Sequence, residues 1–185
     1  MMNEGLIYFY QGRKGSGKTL TMVRDAHIFH LNGWNVYANF EVSFATKITN
    51  EEFLNFDKNK SLQNCVILID EIQSLLDNRQ SMSKKNVKSS HFIQQIRKKG
   101  IQLLATAQFS NTVDLRFKQH VDYEIYPRYI KQDKGDITRV TIIDRTAIID
   151  SFGDESELQD IVTQIDFFYD PISVFGMYDT REMVA

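Results

Sequence analysis

Short apolar runs alternate along the chain with segments whose apolar residues recur at helical spacing. Leu6 to Tyr10, bounded by Gly5 and Gly12, predicts a buried strand. The following "KTLTMVRDAHIFHLNG" places Leu20, Val23, His27 and Leu31 on one helix face, with Gly33 as its stop. "WNVYANF" predicts a second strand, Thr49 to Phe56 a short helix capped by Thr49 or Asn50, and Cys65 to Ile69 a third strand. The polar "DNRQSMSKKNVKSS" lies between two helical patterns, of which the second, "HFIQQIRKK", is closed by Gly100. "IQLLATAQ" predicts a fourth strand. "DYEIYPRYI" and "TRVTIIDRTAIID" flank "KQDKGD" as a hairpin, and Asp154 to Ile165 predicts a helix. Strand and helix in alternation argue for an α/β fold, a parallel sheet covered by helices with an antiparallel extension on one edge.

The 185 residues suffice for one domain with a sizeable core, and 42% apolar with 25% charged residues is ordinary for a globular protein. The organisation expected is a single domain over 1–185: a core to about 128, a hairpin extension over 129–150 and an acidic segment over 151–185. No apolar run reaches the roughly 20 residues that span a bilayer, and "LIYFY" is too short for a secretory signal. A single cysteine, Cys65, excludes an internal disulfide and a cysteine-rich metal site, which fits a reducing compartment. Net charge is only −2, but it is unevenly spread. Arg79, Lys84, Lys85, Lys88, Arg97, Lys98 and Lys99 stand in a stretch without an acid, while from Asp144 onward ten acids face two arginines. Such asymmetry marks a polyanion-binding surface or a subunit contact, or simply two solvated faces.

The chemistry is concentrated in two places. "GRKGSGKT", Gly12 to Thr19, fits G-x-x-x-x-G-K-[ST] in full and sits between a predicted strand and a predicted helix. Glycines at Gly12, Gly15 and Gly17 let the backbone of Arg13, Lys14 and Ser16 turn its N–H groups toward phosphate oxygens, and the helix N-terminus adds partial positive charge. Lys18 would reach the β- and γ-phosphates of ATP, and Thr19 would hold Mg²⁺ through its hydroxyl. "VILIDEI" then ends a strand in two adjacent acids. Asp70 is placed to bind the metal through its water shell, and Glu71, one residue on, to polarise a water in line with the γ-phosphate. Gln108, closing the fourth strand, is placed to contact both γ-phosphate and attacking water. Arg97 and Arg116, before the fourth strand's start and after its end, are candidates to act on a neighbouring subunit's phosphates, with Arg97 preferred.

"GRKGSGKT", "VILIDEIQSLLDNR", "FIQQIRKKGIQLLATAQ" and "VDLRFKQHVDYEI", in this order and spacing, resemble the FtsK/HerA superfamily of P-loop ATPases. The nearer likeness is to its Zot-like and viral genome-packaging branch, from about Tyr8 to Val184. The resemblance implies a RecA/ASCE-like P-loop NTPase fold, a homo-oligomeric ring, usually a hexamer, around DNA, and ATP hydrolysis completed by a neighbour's arginine. Gln108 matches the family's polar residue at the fourth strand's end and Arg97 the arginine ahead of it. Zot members of filamentous phages carry a membrane segment and this sequence shows none, which favours a packaging motor, working in the cytoplasm of a host and associated with a capsid or portal, over phage extrusion. In such a ring Arg79, Lys84, Lys85 and Lys88 fall where channel loops would track double-stranded DNA without reading its bases. Two other readings compete: a P-loop nucleotide or small-molecule kinase, for which the sequence shows no arginine-rich lid and Glu71 would have no use, and an assembly protein that binds ATP without turning it over.

Overall fold

The computed structural model describes residues 4–55, 62–75, 93–108, 113–146 and 163–179. Strands β1 (Ile7–Gln11), β2 (Asn35–Ala38), β3 (Thr46–Lys47), β4 (Cys65–Ile69), β5 (Gln102–Ala107), β6 (Tyr123–Ile130), β7 (Ile137–Asp144) and β8 (Thr163–Tyr169) form one sheet in the order β3-β2-β4-β5-β1-β6-β7-β8. Every pairing from β3 through β6 is parallel, and β6–β7 and β7–β8 are antiparallel. β6 thus belongs both to the parallel core and to the hairpin.

The central strands β4 and β5 are buried at every position, and β1 at all but Tyr8, because both of their faces are covered. On one face Phe9, Ile67, Ile69 and Leu103 pack with Phe53 of α2 (Asn50–Leu54), Ile93 and Ile96 of α3 (residues 93–98) and Phe117 of α4 (Leu115–Gln119). On the other, Tyr10, Leu68, Leu104 and Ile125 pack with Leu20, Met22, Val23 and Ala26 of α1 (Lys18–Leu31). The buried stripe of α1 differs from the expected one: Leu20 and Val23 are buried, but Leu31 in the last turn is 71% exposed. Thr49 caps α2 in a reciprocal box with Glu52. Cys65 is a buried apolar residue, its thiol pushed up to about 12 by burial.

The helix expected over Asp154 to Ile165 is corrected where it can be seen. Residues 154–162 lie outside those described, and Thr163 to Ile165 open strand β8. A period-two pattern prevails there. Phe167 and Tyr169 turn toward α1, where the Arg24 guanidinium lies 4.7 and 5.0 Å from their ring centroids, while Asp166, just before Phe167, pairs with Arg139 at 3.0 Å. Among the described residues no helix is long and apolar enough to cross a membrane.

Candidate active site

β1 runs directly into the glycine loop, and α1 begins at Lys18. Gly12, Gly15 and Gly17 all have left-handed φ values, 146°, 78° and 94°, which a side chain would strain. A side chain on Gly15 would meet nothing within 4 Å, so the loop is open on its outer side. Three features match a bound polyphosphate. The first-turn N–H groups of α1 have no intrahelical acceptors. The Ser16 hydroxyl is buried with no hydrogen-bond partner. Lys18 is 7% exposed, and its Nζ donates to the Arg13 carbonyl at 3.2 Å. Burial lowers the Lys18 amine from its ordinary range, and the carboxylates of Glu71 and Asp70 act against that shift. Both acids therefore stand within electrostatic reach of the lysine. Arg13 and Lys14 are exposed on the loop.

The acids lie one strand away, because β5 is inserted between β1 and β4. Thr19 Oγ1 donates to Asp70 Oδ1 at 3.1 Å, which brings together two oxygen ligands suited to a hard divalent cation. Among the described residues no group of three His, Cys, Asp or Glu could hold a metal, so phosphate and water oxygens would complete a magnesium shell here. Burial raises the Asp70 carboxyl above its ordinary range, and hydrogen bonds from Thr106 and Thr19 oppose the rise. Glu71 adopts a left-handed backbone, φ 56° and ψ 52°, a conformation that costs of order 1–3 kcal/mol in a residue with a side chain. That turn separates the two neighbours: Asp70 faces Thr19, and Glu71 faces Gln108, whose Nε2 donates to Glu71 Oε1 at 3.1 Å. Gln73 donates to the other Glu71 oxygen.

Three contributors have no motif to announce them. Thr106, fully buried on β5, donates to Asp70 Oδ1 at 2.5 Å and accepts from the Glu71 N–H at 3.0 Å, so one hydroxyl fixes both acids. Asn39, at the end of β2, accepts from the Asp70 N–H at 2.9 Å and donates to the Asp70 carbonyl at 3.3 Å. Tyr178 comes from the C-terminal segment. Its phenol is pushed up to about 12 by burial, with Tyr169 and then Asp70 adding to the rise.

Lys18, Thr19, Asp70, Glu71 and Gln108 are brought together, and the two arginines are not among them. Arg97 pairs with Asp122 at 2.9 Å and Glu4 at 3.2 Å. Glu4 and Asp122 precede β1 and β6, so this cluster lies at the sheet end opposite the loop. Arg116 is exposed in the first turn of α4. Arg79, Lys84, Lys85 and Lys88 lie outside the described residues.

The sequence matches the ATPase family associated with various cellular activities (AAA) over residues 8–129, well over half of the chain. The chain belongs to the AAA family of ATPases. The ATPase also shares its fold with the N-terminal domain of zonular occludens toxin from Neisseria meningitidis, at 16% identity, TM-score 0.65, 95% of this chain and 100% of that one. The flagellar accessory protein FlaH from Methanocaldococcus jannaschii aligns at 14% identity, TM-score 0.58, 90% and 86%. The genome packaging NTPase B204 from Sulfolobus turreted icosahedral virus 2, solved in complex with ATP-gammaS, aligns at 14% identity, TM-score 0.55, 96% and 98%. Comparison with curated protein sequences gives no match. The fold neighbours and the family match place this ATPase with the P-loop enzymes that carry a mostly parallel sheet, here extended by β7 and β8.

Proposed function

We propose that this ATPase is a magnesium-dependent DNA translocase that works as a homo-oligomeric ring, in the manner of the Zot-like and genome-packaging branch of the FtsK/HerA superfamily. The observation that carries the reading is the division of labour at the β4 terminus. Glu71 is turned away from the metal ligands Thr19 and Asp70 and held by Gln108 3.1 Å away, as a water-activating base coupled to a strand-end amide requires. A kinase must exclude water from the γ-phosphate and has no use for such a carboxylate.

The residues divide the work as follows. The loop amides, Ser16 and Lys18 bind and orient the phosphates. Thr19 and Asp70 would hold the metal, which would supply charge stabilisation for the phosphate being transferred. Glu71 accepts the proton of the attacking water. Gln108 touches the same carboxylate from β5 and so links hydrolysis to the segment that leads into α4. Support for DNA as the substrate moved comes from the acid-free basic stretch between Arg79 and Lys99 and from the fold shared with a packaging NTPase. The test is the rate of ADP release with and without double-stranded DNA, under conditions where the chain assembles. Stimulation by DNA of any sequence is expected, and a rate indifferent to DNA would overturn the translocase reading while leaving the ATPase intact.

A further inference from the structure

The phosphate loop is bordered on one side by the strand extension, and that border is aromatic. The Tyr129 N–H donates to the Ser16 carbonyl at 2.9 Å. A Cβ added to Gly17 would lie 3.7 Å from both the Tyr129 Cβ and the Thr138 methyl, so the Tyr129 ring starts at the loop's surface. Its hydroxyl is latched by Asp136, which also accepts from the Gln132 N–H at 3.2 Å and so fixes the ring to the hairpin turn. Phe175 meets Tyr129 at 6.3 Å between centroids with planes 63° apart. Two such rings make a corner: a planar group stacked on one presents its edge to the other.

Phe175 is 47% exposed although the segment that carries it is pinned on both sides. Val174 before it is buried, and after it Met177 accepts from the Ser43 N–H at 2.7 Å while Tyr178 bridges to Val42. The ring is therefore held toward solvent by its neighbours' burial. A shallow, open depression lined by Val42, Ser43, Met177 and Tyr178 adjoins the ring.

We propose that Tyr129 and Phe175 form the base subsite, receiving by stacking the purine of a nucleotide whose phosphates lie on Gly12 to Thr19. This rests on the nucleotide-binding reading of the loop and adds the residues that distinguish ATP from bare polyphosphate.

The test is calorimetric binding of ATP and of inorganic tripolyphosphate, both with magnesium, to the full chain and to Tyr129→Ala and Phe175→Ala. Loss of one base stack is expected to weaken ATP about tenfold or more in each variant, with tripolyphosphate binding unchanged. Phe175→Ala removes a half-exposed ring and carries the test alone if Tyr129→Ala does not fold. Unchanged ATP affinity in Phe175→Ala would overturn the subsite and leave the phosphate site standing. Equal losses for ATP and tripolyphosphate would also overturn it, since the rings would then support the loop. Wild-type protein that binds neither ligand would remove both the subsite and the nucleotide-binding reading beneath it.

Discussion

Thr106→Val is the substitution that best isolates the link between β5 and the acid pair. Valine keeps the shape of a fully buried threonine and removes one hydroxyl. That hydroxyl accepts from the Glu71 N–H at 3.0 Å and donates to Asp70. Leaving the N–H buried without an acceptor costs about 1–3 kcal/mol, and a lost hydrogen bond to a charged carboxylate costs about 1.5–3 kcal/mol. The two losses share one group and are not additive, and relaxation of the left-handed Glu71 backbone returns part of the cost. The expected destabilisation is therefore about 2–4 kcal/mol. For a chain of this size that corresponds to a fall in Tm of roughly 5–15 °C. Freed from Thr106, the Asp70–Glu71 turn would also misplace the carboxylates, and a shift of about 1 Å is worth about a hundredfold in rate. Urea unfolding followed by circular dichroism and steady-state ADP release measure the two effects. Thr106→Ser retains the hydroxyl and should stay within about 1 kcal/mol of wild type. A valine variant as stable and as active as wild type would refute the role given to this residue.

The arginines should separate by phenotype. Arg97→Ala strips the partner from Asp122, whose side chain is 3% exposed, and breaking such a pair costs about 3–5 kcal/mol, with the lower end expected because Arg97 itself is partly exposed. Burial already raises the Asp122 carboxyl above its ordinary range, and losing Arg97 raises it further. A group with a raised folded-state value favours the fold when protonated, so the deficit of Arg97→Ala in urea unfolding should be larger at pH 7 than at pH 5. Arg116→Ala should lower turnover of the assembled protein by about 10³ or more, through the neighbour's site. Gly5→Ala should destabilise by about 3 kcal/mol in the same unfolding assay, because its Cβ would lie 2.3 Å from the Ile96 carbonyl oxygen and 2.5 Å from that of Ile101.

The residues proposed to contact phosphate, metal and water were legible because their spacing is local. Gly12 to Thr19 is one contiguous loop, Asp70 and Glu71 are adjacent, and Gln108 ends an apolar run that could only be a strand. Thr106 and Asn39 were not legible, because each acts across the sheet. Thr106 reaches Asp70 only through the β4–β5 register that pairs Ile69 with Ala105, and Asn39 only through the β2–β4 register that pairs Ala38 with Leu68. In the linear sequence both are polar residues within or beside strands, a common and uninformative pattern. The ion pair of Arg97 was hidden for the same reason, since Asp122 is 25 residues away. Strand β8 was obscured because "TQIDFFY" follows a run of acids that carried a helical reading, and its alternation becomes meaningful only once β7 offers an edge to pair with. Leu31 fitted the helix period but falls past the buried stripe of α1.

The central claim is that Glu71 activates water at a triphosphate gripped by Lys18, Thr19 and Asp70. Its most direct test compares ATP binding and ADP release in the wild type and in Glu71→Gln. The amide keeps the shape and an acceptor oxygen for Gln108 but cannot take a proton at neutral pH. Binding should be retained while turnover falls by about 10²–10⁴; turnover equal to wild type would contradict the account.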